Sequence, residues 1–174
     1  MQQRALKTAP SISRYLCNAL IAMLVVLPVT AVDAGEAANA ALARRFYVAF
    51  NARDLDSLDK FMAQNIVDHN PAPGQTDGLA GVKVSLRGFF ALSSDIQAHN
   101  DLVIAKGDYV TVYSTATGTH TGDLLGVKAT HKPFQIHTLD IWRVKDGKLA
   151  EGWHVEELLG ILTQVGALPR TDGS

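Results

Sequence analysis

Apolar and polar residues alternate along residues 134–144, and this period of two predicts a β-strand. Six alternate positions share one face of that strand: Phe134, Ile136, Thr138, Asp140, Trp142 and Val144. Only Thr138 and Asp140 interrupt an otherwise apolar face. An aspartate on such a face is poorly solvated, and loss of solvation raises the pKa of a carboxyl group. The pattern therefore predicts that Asp140 is a buried acid suited to proton transfer near neutral pH.

The remaining patterns predict helices that are separate in sequence from most of the strands. Helical spacing of apolar residues indicates helices over 36–53, after Asp54, over 77–93 and over 156–166. Extended patterns lie at 64–71, 96–105, 109–120, 134–144 and 149–155. The last four strands are expected to be antiparallel and joined by hairpins. We therefore predict an α+β fold, in which a curved antiparallel sheet forms a cone or α+β barrel and helices close a pocket for a small molecule.

The first 34 residues are predicted to be a signal peptide. Three basic residues precede an apolar stretch over 16–30 that is short and interrupted by proline, and Val32-Asp33-Ala34 offers small residues for cleavage. The alternatives are a membrane anchor or a disordered extension. Cleavage would leave one domain over 35–174, secreted or periplasmic, with no stable membrane anchor. The net charge of −1 and the absence of a dense Lys/Arg run argue against nucleic acid as a partner.

Neither a metal nor a cofactor is expected. The only cysteine, Cys17, lies within the predicted signal peptide, so the mature chain would have no disulfide and no thiol nucleophile. Histidine spacing gives only a weak signal for zinc, because no HxH or HExxH pair occurs. Phosphate-binding and dinucleotide-binding glycine motifs are not found in the sequence.

Several polar and aromatic residues are candidates for the pocket beside Asp140. A structural alternative remains for Asp140 itself, namely a buried aspartate bonded to backbone or to Arg143. His120, at the end of a predicted strand with a small, apolar face, is the second catalytic candidate; its alternative is an exposed histidine. The predicted substrate-binding residues are His69, Asn70, Phe89, Phe90, Trp142, Trp153, His131 and His154. For His69 and Asn70 the alternative is turn chemistry before Pro71, and for Phe89 and Phe90 it is core packing.

From Asp68 onward the chain resembles the SnoaL-like polyketide cyclases, also called ester cyclases, within the nuclear-transport-factor-like superfamily. The segments that carry the resemblance are Asp68-His69-Asn70-Pro71, Gly118-Thr119-His120-Thr121-Gly122, Asp140-Ile141-Trp142-Arg143-Val144, Asp146-Gly147-Lys148 and Leu159-Gly160-Ile161-Leu162. The resemblance implies aldol cyclisation without a cofactor or metal. Asp140 would take a proton from an activated carbon, and His120, with possible help from His69 or Asn70, would hold the oxygens where charge develops.

The chain departs from the family pattern at two places. Glu151-Gly152-Trp153-His154 stands where the family often has Glu-His-Trp-Asp, and Ala129-Thr130-His131 stands where it often has Pro-Thr-Gly. A histidine is therefore lost at position 152, and histidines are gained at 131 and 154. These changes imply that the chemistry of this pocket differs from that of a typical member.

Three functions are compatible with the sequence. The first is an enzyme that uses Asp140 for acid–base chemistry, of the aldol or isomerase type, on a small apolar carbonyl compound. The second is a binding module of the same fold without catalysis. The third is a relative that hydrolyses an epoxide or ester, with Asn70 or Glu151 orienting water. A homodimer is also expected, formed through the outer sheet face that carries Tyr109, Thr111, Tyr113 and Thr115.

Overall fold

The structure, a computed structural model, describes residues 34–168. Three α-helices, one short 3₁₀ helix and five strands make up this part of the chain. In chain order they are α1 (Ala34–Ala52), the 3₁₀ helix (Asp56–Lys60), β1 (Met62–Asp68), α2 (Gly78–Leu92), β2 (Gln97–Lys106), β3 (Tyr109–Thr119), β4 (Pro133–Lys145), β5 (Lys148–Glu156) and α3 (Leu158–Gln164). The α+β class predicted from the sequence is confirmed.

The five strands form one curved sheet in the order β1-β5-β4-β3-β2. The strands from β2 to β5 pair antiparallel as consecutive hairpins, and the early strand β1 adds parallel to β5. Because β1 and β2 are the two edges, the sheet is curved but is not closed into a barrel. Register shifts in β2, near Asn100, and in the β4–β5 pair, near Arg143, add bends of the kind that β-bulges produce.

One face of the sheet is covered by helices, and the core lies between them. Helix α1 contacts β2, β3 and β5, and α2 contacts β1. From α1, Phe46, Tyr47 and Phe50 are buried, while Val48 on the other side of the helix is largely exposed. Burying this aromatic stripe against the inner sheet face supplies the hydrophobic driving force that holds the helix in place.

Two local details differ from the prediction. The helix after Asp54 is a single 3₁₀ turn with Leu55 at its N-cap, although the Asp54 carboxylate still accepts a hydrogen bond from the Ser57 N–H at 3.1 Å. The first strand begins at Met62 and ends at Asp68, so the segment before Pro71 is not part of the sheet.

The predicted signal peptide lies outside the described residues except for Ala34, which is the first residue of α1. Its removal and the resulting location of the protein stay predictions. No helix within residues 34–168 is long and apolar enough to cross a membrane.

Candidate active site

A pocket lies between α1, α2 and the inner face of the sheet, with a volume of about 830 Å³ when the space at its open mouth is included. Most of its wall is apolar and includes the rings of Phe46, Phe50, Phe89 and Trp142. Polar side chains line it too, and they comprise Tyr47, Asp68, Ser85, Thr138, Asp140, His154 and Glu156. A concave apolar cavity with a few polar groups is the usual form of a small-molecule site.

Asp140 faces this pocket from the middle of β4. The strand face predicted from the sequence is observed, because Ile136, Thr138, Asp140 and Trp142 all line the cavity. Arg143 points the other way and pairs with Glu151, so no cation of β4 neutralises Asp140. Burial raises the pKa of Asp140 to about 6, although the hydrogen bond from Tyr47 opposes the rise. Asp140 therefore changes protonation near neutral pH.

Tyr47 is the direct partner of Asp140. Its hydroxyl donates a hydrogen bond of 2.7 Å to Asp140 Oδ2, across 93 residues of sequence. Burial, followed by the nearby charge of Asp140, raises the pKa of Tyr47 far above its usual range. The phenol therefore stays neutral and remains a donor. The Trp142 indole lies near enough to lower this pKa a little, but it does not meet hydrogen-bond geometry, and its N–H has no partner among the described residues.

His154 lies opposite Asp140 in the register of β4 and β5 and is held by two carboxylates. Its Nδ1 lies 2.8 Å from Glu156 Oε1, and its Nε2 lies 3.0 Å from Asp68 Oδ1. Two acceptors on opposite sides of the ring favour the form with both nitrogens protonated. The hydrogen bond to Glu156 is the main cause that raises the pKa of His154 to about 9. At neutral pH this residue is an imidazolium.

The structure brings only some of the predicted residues to the pocket. Asp140, Phe89, Trp142 and His154 line it. Asn70 is not in the lining, but its side-chain oxygen accepts the backbone N–H of His154 at 3.2 Å. Phe90 packs against Phe50 with 5.1 Å between ring centroids. Asn70 and Phe90 therefore lie outside the lining, where Asn70 supports His154 and Phe90 supports Phe50.

His120, the second catalytic candidate, is not in the lining. It is fully buried beside Thr130, whose backbone N–H donates to His120 Nδ1 at 3.3 Å. That contact leaves the proton on Nε2, which has no partner among the described residues. His131, in the following loop, is exposed and has a positive φ of 57°. The structure does not bring either histidine to Asp140, so their roles stay predictions without a place in this pocket.

His69 and Trp153 form a separate group on the outer side of the sheet. Their rings stack with 4.1 Å between centroids and an interplanar angle of 2°. His69 Nε2 also contacts Glu151 Oε2 at 3.0 Å, and Glu151 in turn binds Arg143. None of these residues lines the pocket. Glu151 is thus placed away from Asp140, where it could not orient a water molecule for hydrolysis.

Sequence reasoning missed four polar residues of the pocket: Tyr47, Asp68, Ser85 and Glu156. Tyr47 carried a signal, because it lies three residues before Phe50 on the apolar stripe of α1 and is its only hydroxyl-bearing member. Glu156 carried one too, because it alternates with Gly152 and His154 along β5. Asp68 was named only as the first residue of a segment that carries the family resemblance, without a place in the pocket.

No group of three or more His, Cys, Asp or Glu residues within 34–168 is arranged to hold a metal ion. The site offers carboxylates, a phenol and an imidazolium, which together can move a proton and stabilise developing charge.

Comparison with known proteins relates this chain and its fold to polyketide cyclases. The profile of the SnoaL-like polyketide cyclase family matches residues 41–165, which span every strand of the sheet. The aklanonic acid methyl ester cyclase of Streptomyces peucetius is 25% identical over 130 residues, which cover 72% of this chain and 88% of that protein.

Solved structures show the same likeness. TsrD from Streptomyces laurentii superposes with a TM-score of 0.69 at 28% identity, over 76% of this chain and 97% of that one. IdmH from Streptomyces antibioticus superposes with a TM-score of 0.67 at 28% identity, over 74% and 98% of the two chains.

Proposed function

The chain belongs to the SnoaL-like polyketide cyclase family, and from that premise we propose that it is a cyclase-type enzyme whose general acid–base residue is Asp140. The substrate we infer is a small apolar compound with at least two carbonyl groups. The observation that carries the proposal is the Asp140 carboxyl in an apolar pocket, bonded to Tyr47, with its pKa raised to about 6. A base whose pKa lies near the working pH is present in its ionised form and still has enough driving force to take a proton.

The proposed reaction is an intramolecular aldol addition. Asp140 takes the proton from a carbon next to one carbonyl, and the electron pair left behind forms an enolate. The enolate carbon attacks a second carbonyl carbon in the same molecule, a carbon–carbon bond forms, and the carbonyl electron pair moves to oxygen. Protonated Asp140 then returns its proton to that alkoxide. The proton count balances, and the carboxylate is restored.

Tyr47 is the proposed donor to the oxygen on which negative charge develops once Asp140 is protonated, because its single O–H is bonded to the Asp140 carboxylate until then. Its raised pKa keeps the hydroxyl protonated, and it already lies at the Asp140 end of the pocket. The Trp142 N–H is fully buried beside Tyr47 and is not assigned a substrate contact. The predicted roles of His120 and His69 in holding oxygens are not carried into this proposal.

Asp140→Asn tests the proposal. The amide keeps the shape and can still accept the Tyr47 hydrogen bond, but it cannot take a proton. We expect cyclisation of a poly-carbonyl substrate such as an aklanonic acid methyl ester to fall at least about 10²-fold, the usual worth of a general base. Binding of the same compound should persist. Unchanged turnover would contradict the proposal, and binding without turnover in the wild type would favour a binding module.

The same variant carries its own folding control. Because the folded-state pKa of Asp140 lies above the ordinary value, the ionised carboxylate destabilises the fold above about pH 6, and this cost disappears below about pH 4. Asp140→Asn should therefore be more stable than wild type at pH 7.5, by about 1–3 kcal/mol in urea unfolding. A more stable but inactive variant cannot be dismissed as misfolded.

A further inference from the structure

The inner face of β5 builds the polar side of the pocket. Gly152, His154 and Glu156 all line the cavity. A side chain at position 152 has no room, because its Cβ would lie 2.9 Å from Cζ3 of Trp142. The pocket histidine of this chain therefore sits two residues further along the strand, at His154, and brings Glu156 into contact with it.

His154 itself has no donor left for a ligand. Its two nitrogens are occupied by Glu156 and Asp68. Both oxygens of Asp68 are also bonded within the protein: besides His154, Oδ1 accepts a bond from the Asn70 N–H at 3.0 Å, and Oδ2 accepts one from Gln75 at 2.7 Å. His154 and Asp68 therefore form a fixed support. Through His154 this support holds Glu156 by its Oε1 oxygen.

Glu156 is the member with spare capacity. Oε1 is bound to His154, but Oε2 has no hydrogen-bond partner among the described residues, although the side chain is only 20% exposed and lines the pocket. Because Oε2 is not among the fully buried unpaired atoms of the described residues, it is accessible and can accept a hydrogen bond from a ligand in the pocket. The register places Glu156 opposite Thr138 and therefore diagonal to Asp140, at a Cβ separation of about 7 Å. A ligand that reaches Asp140 also reaches Glu156.

We propose that Glu156 is a specificity residue whose free oxygen accepts a hydrogen bond from a hydroxyl or ammonium group on the substrate. The substrate then carries its donor group on the side that faces β5, while the carbon that Asp140 deprotonates faces β4. His154 and Asp68 are positioning residues that fix Glu156. The inference rests on the proposed function only in assuming that the substrate occupies this pocket.

Charge supports the same substrate class. Three carboxylates, those of Asp68, Asp140 and Glu156, line the pocket against the single imidazolium of His154, and the described lining includes no lysine or arginine. A free carboxylate on a ligand would meet like charge, and both nitrogens of the one cation, His154, are already bonded to carboxylates. Neutral alcohols and ammonium compounds are therefore accepted, and free acids are excluded.

Four naphthalene derivatives that differ in one substituent test the proposal without knowledge of the natural substrate. They are methylnaphthalene, naphthylmethanol, naphthylmethylammonium and naphthoate, titrated calorimetrically into the whole protein at pH 7.5. We expect Kd for the alcohol and the ammonium to be about tenfold to hundredfold lower than for methylnaphthalene, the range of a hydrogen bond to a charged group. Naphthoate should bind weakest. Comparison of Kd for the alcohol with Kd for the ammonium compound shows whether the site prefers a neutral donor or a cationic one.

Glu156→Leu should abolish the advantage of both donors. Glu157→Leu is the matched control, because that neighbour points to the other side of the sheet and binds His137 instead. Glu156→Gln keeps the shape and an acceptor. It should lower the ammonium advantage about tenfold and the alcohol advantage less, so it still tests the proposal if the leucine variant folds poorly.

Equal affinity of the wild type for all four compounds would overturn the proposal, as would a donor advantage that survives in Glu156→Leu. Failure here is separable from failure of the proposed function. In Asp140→Asn the advantage of the alcohol over methylnaphthalene should remain while turnover is lost. Conversely, a wild type that cyclises a substrate but binds the four compounds alike would retain the catalytic role of Asp140 and remove that of Glu156.

Discussion

Asp140 and Tyr47 illustrate how two residues far apart in the chain set one another's chemistry. Burial disfavours the ionised carboxylate, and the phenol hydrogen bond partly restores it. The result is a carboxyl with a pKa of about 6 rather than one that is permanently ionised or permanently neutral. In the reverse direction, burial and then the charge of the Asp140 carboxylate raise the pKa of Tyr47 and keep the phenol protonated. Each residue therefore maintains the other in the state that proton transfer requires.

Tyr47→Phe should move the acid limb of the activity profile. Loss of the phenol donor removes the largest influence that lowers the pKa of Asp140, so that pKa rises. Because Asp140 must be ionised to act as a base, the pH at which kcat/KM reaches half its maximum should shift upward by about one unit. A ¹³C NMR titration of the Asp140 carboxyl measures the same shift without any substrate.

Phe46→Leu is a suitable control for that experiment, since it changes a neighbouring aromatic residue of the pocket but no hydrogen bond to Asp140. It should leave the titration midpoint within a few tenths of a unit. An unchanged midpoint in Tyr47→Phe would show that the phenol does not tune Asp140, and the assignment of Tyr47 as its partner would be wrong.

Whether the sequence could predict the place of a site residue also differed from one residue to the next. The inward position of Asp140 followed from unbroken alternation between Phe134 and Val144. Tyr47 could not be paired with Asp140 in advance, because the 93 residues between them carry no local signal of that contact. A hydrogen bond of this kind is created by tertiary packing, and only the position of Tyr47 on the buried stripe of α1 hinted at it.

Strand β5 shows why an element can be predicted while its faces are not. The alternating series Leu149, Glu151, Trp153 and Val155 predicts one shared face. In the structure Leu149 is fully buried but Trp153 is on the outer side, because the register with β4 shifts between Arg143 and Val144. A bulge of one residue reverses every side chain beyond it. It therefore brings His154 and Glu156 inward and turns Trp153 outward.

The cluster of His154 and Glu156 on β5 with Asp68 on β1 predicts a distinct pH dependence of stability. The pKa of His154 is raised by Glu156 and Asp68, so this cluster stabilises the fold fully below about pH 6.5 and loses that contribution as pH rises through about 9. The free energy of unfolding should fall by about 1–3 kcal/mol across this interval. Urea unfolding at half-unit steps of pH measures it.

His154→Asn should remove this decline, because the titrating group is gone. His137→Asn serves as the comparison: that histidine also faces a glutamate, Glu157, but the pair lies exposed on the outer sheet face and should contribute little. A decline that persists unchanged in His154→Asn would assign the pH dependence to another group. The titration of Asp140 does not affect this measurement, because its contribution to the free energy of unfolding changes below about pH 6.

At the scale of the whole molecule, the family profile and the α+β pattern lead to the same architecture from different starting points. Helical stripes and hairpin turns were local signals, and they gave the helices and the antiparallel strands β2 to β5. The parallel addition of β1 to β5 was not determined by such signals. Its partner lies more than 80 residues away in sequence, and parallel pairing needs no short turn that could reveal it.

The outer face of the sheet predicts a homodimer. Two cross-strand rows run over β2 to β5: Leu102, Tyr113, Leu139 and Val155, and next to them Ile104, Thr111, Ile141 and Trp153. Leu102, Ile104 and Val155 are each more than half exposed. A contiguous apolar patch of this kind marks an interaction site, and a second copy with the same uncharged rows fits it about a two-fold axis.

Leu139→Glu tests the dimer, because this residue lies in the middle of one row and a carboxylate there would be buried opposite its own copy in a two-fold interface. Sedimentation equilibrium of the wild type should give twice the chain mass, and the variant should dissociate at least about a hundredfold more readily. Val48→Glu, at an exposed site on α1, should stay dimeric. A monomeric wild type, or a variant as dimeric as the wild type, would assign the apolar rows to some other partner.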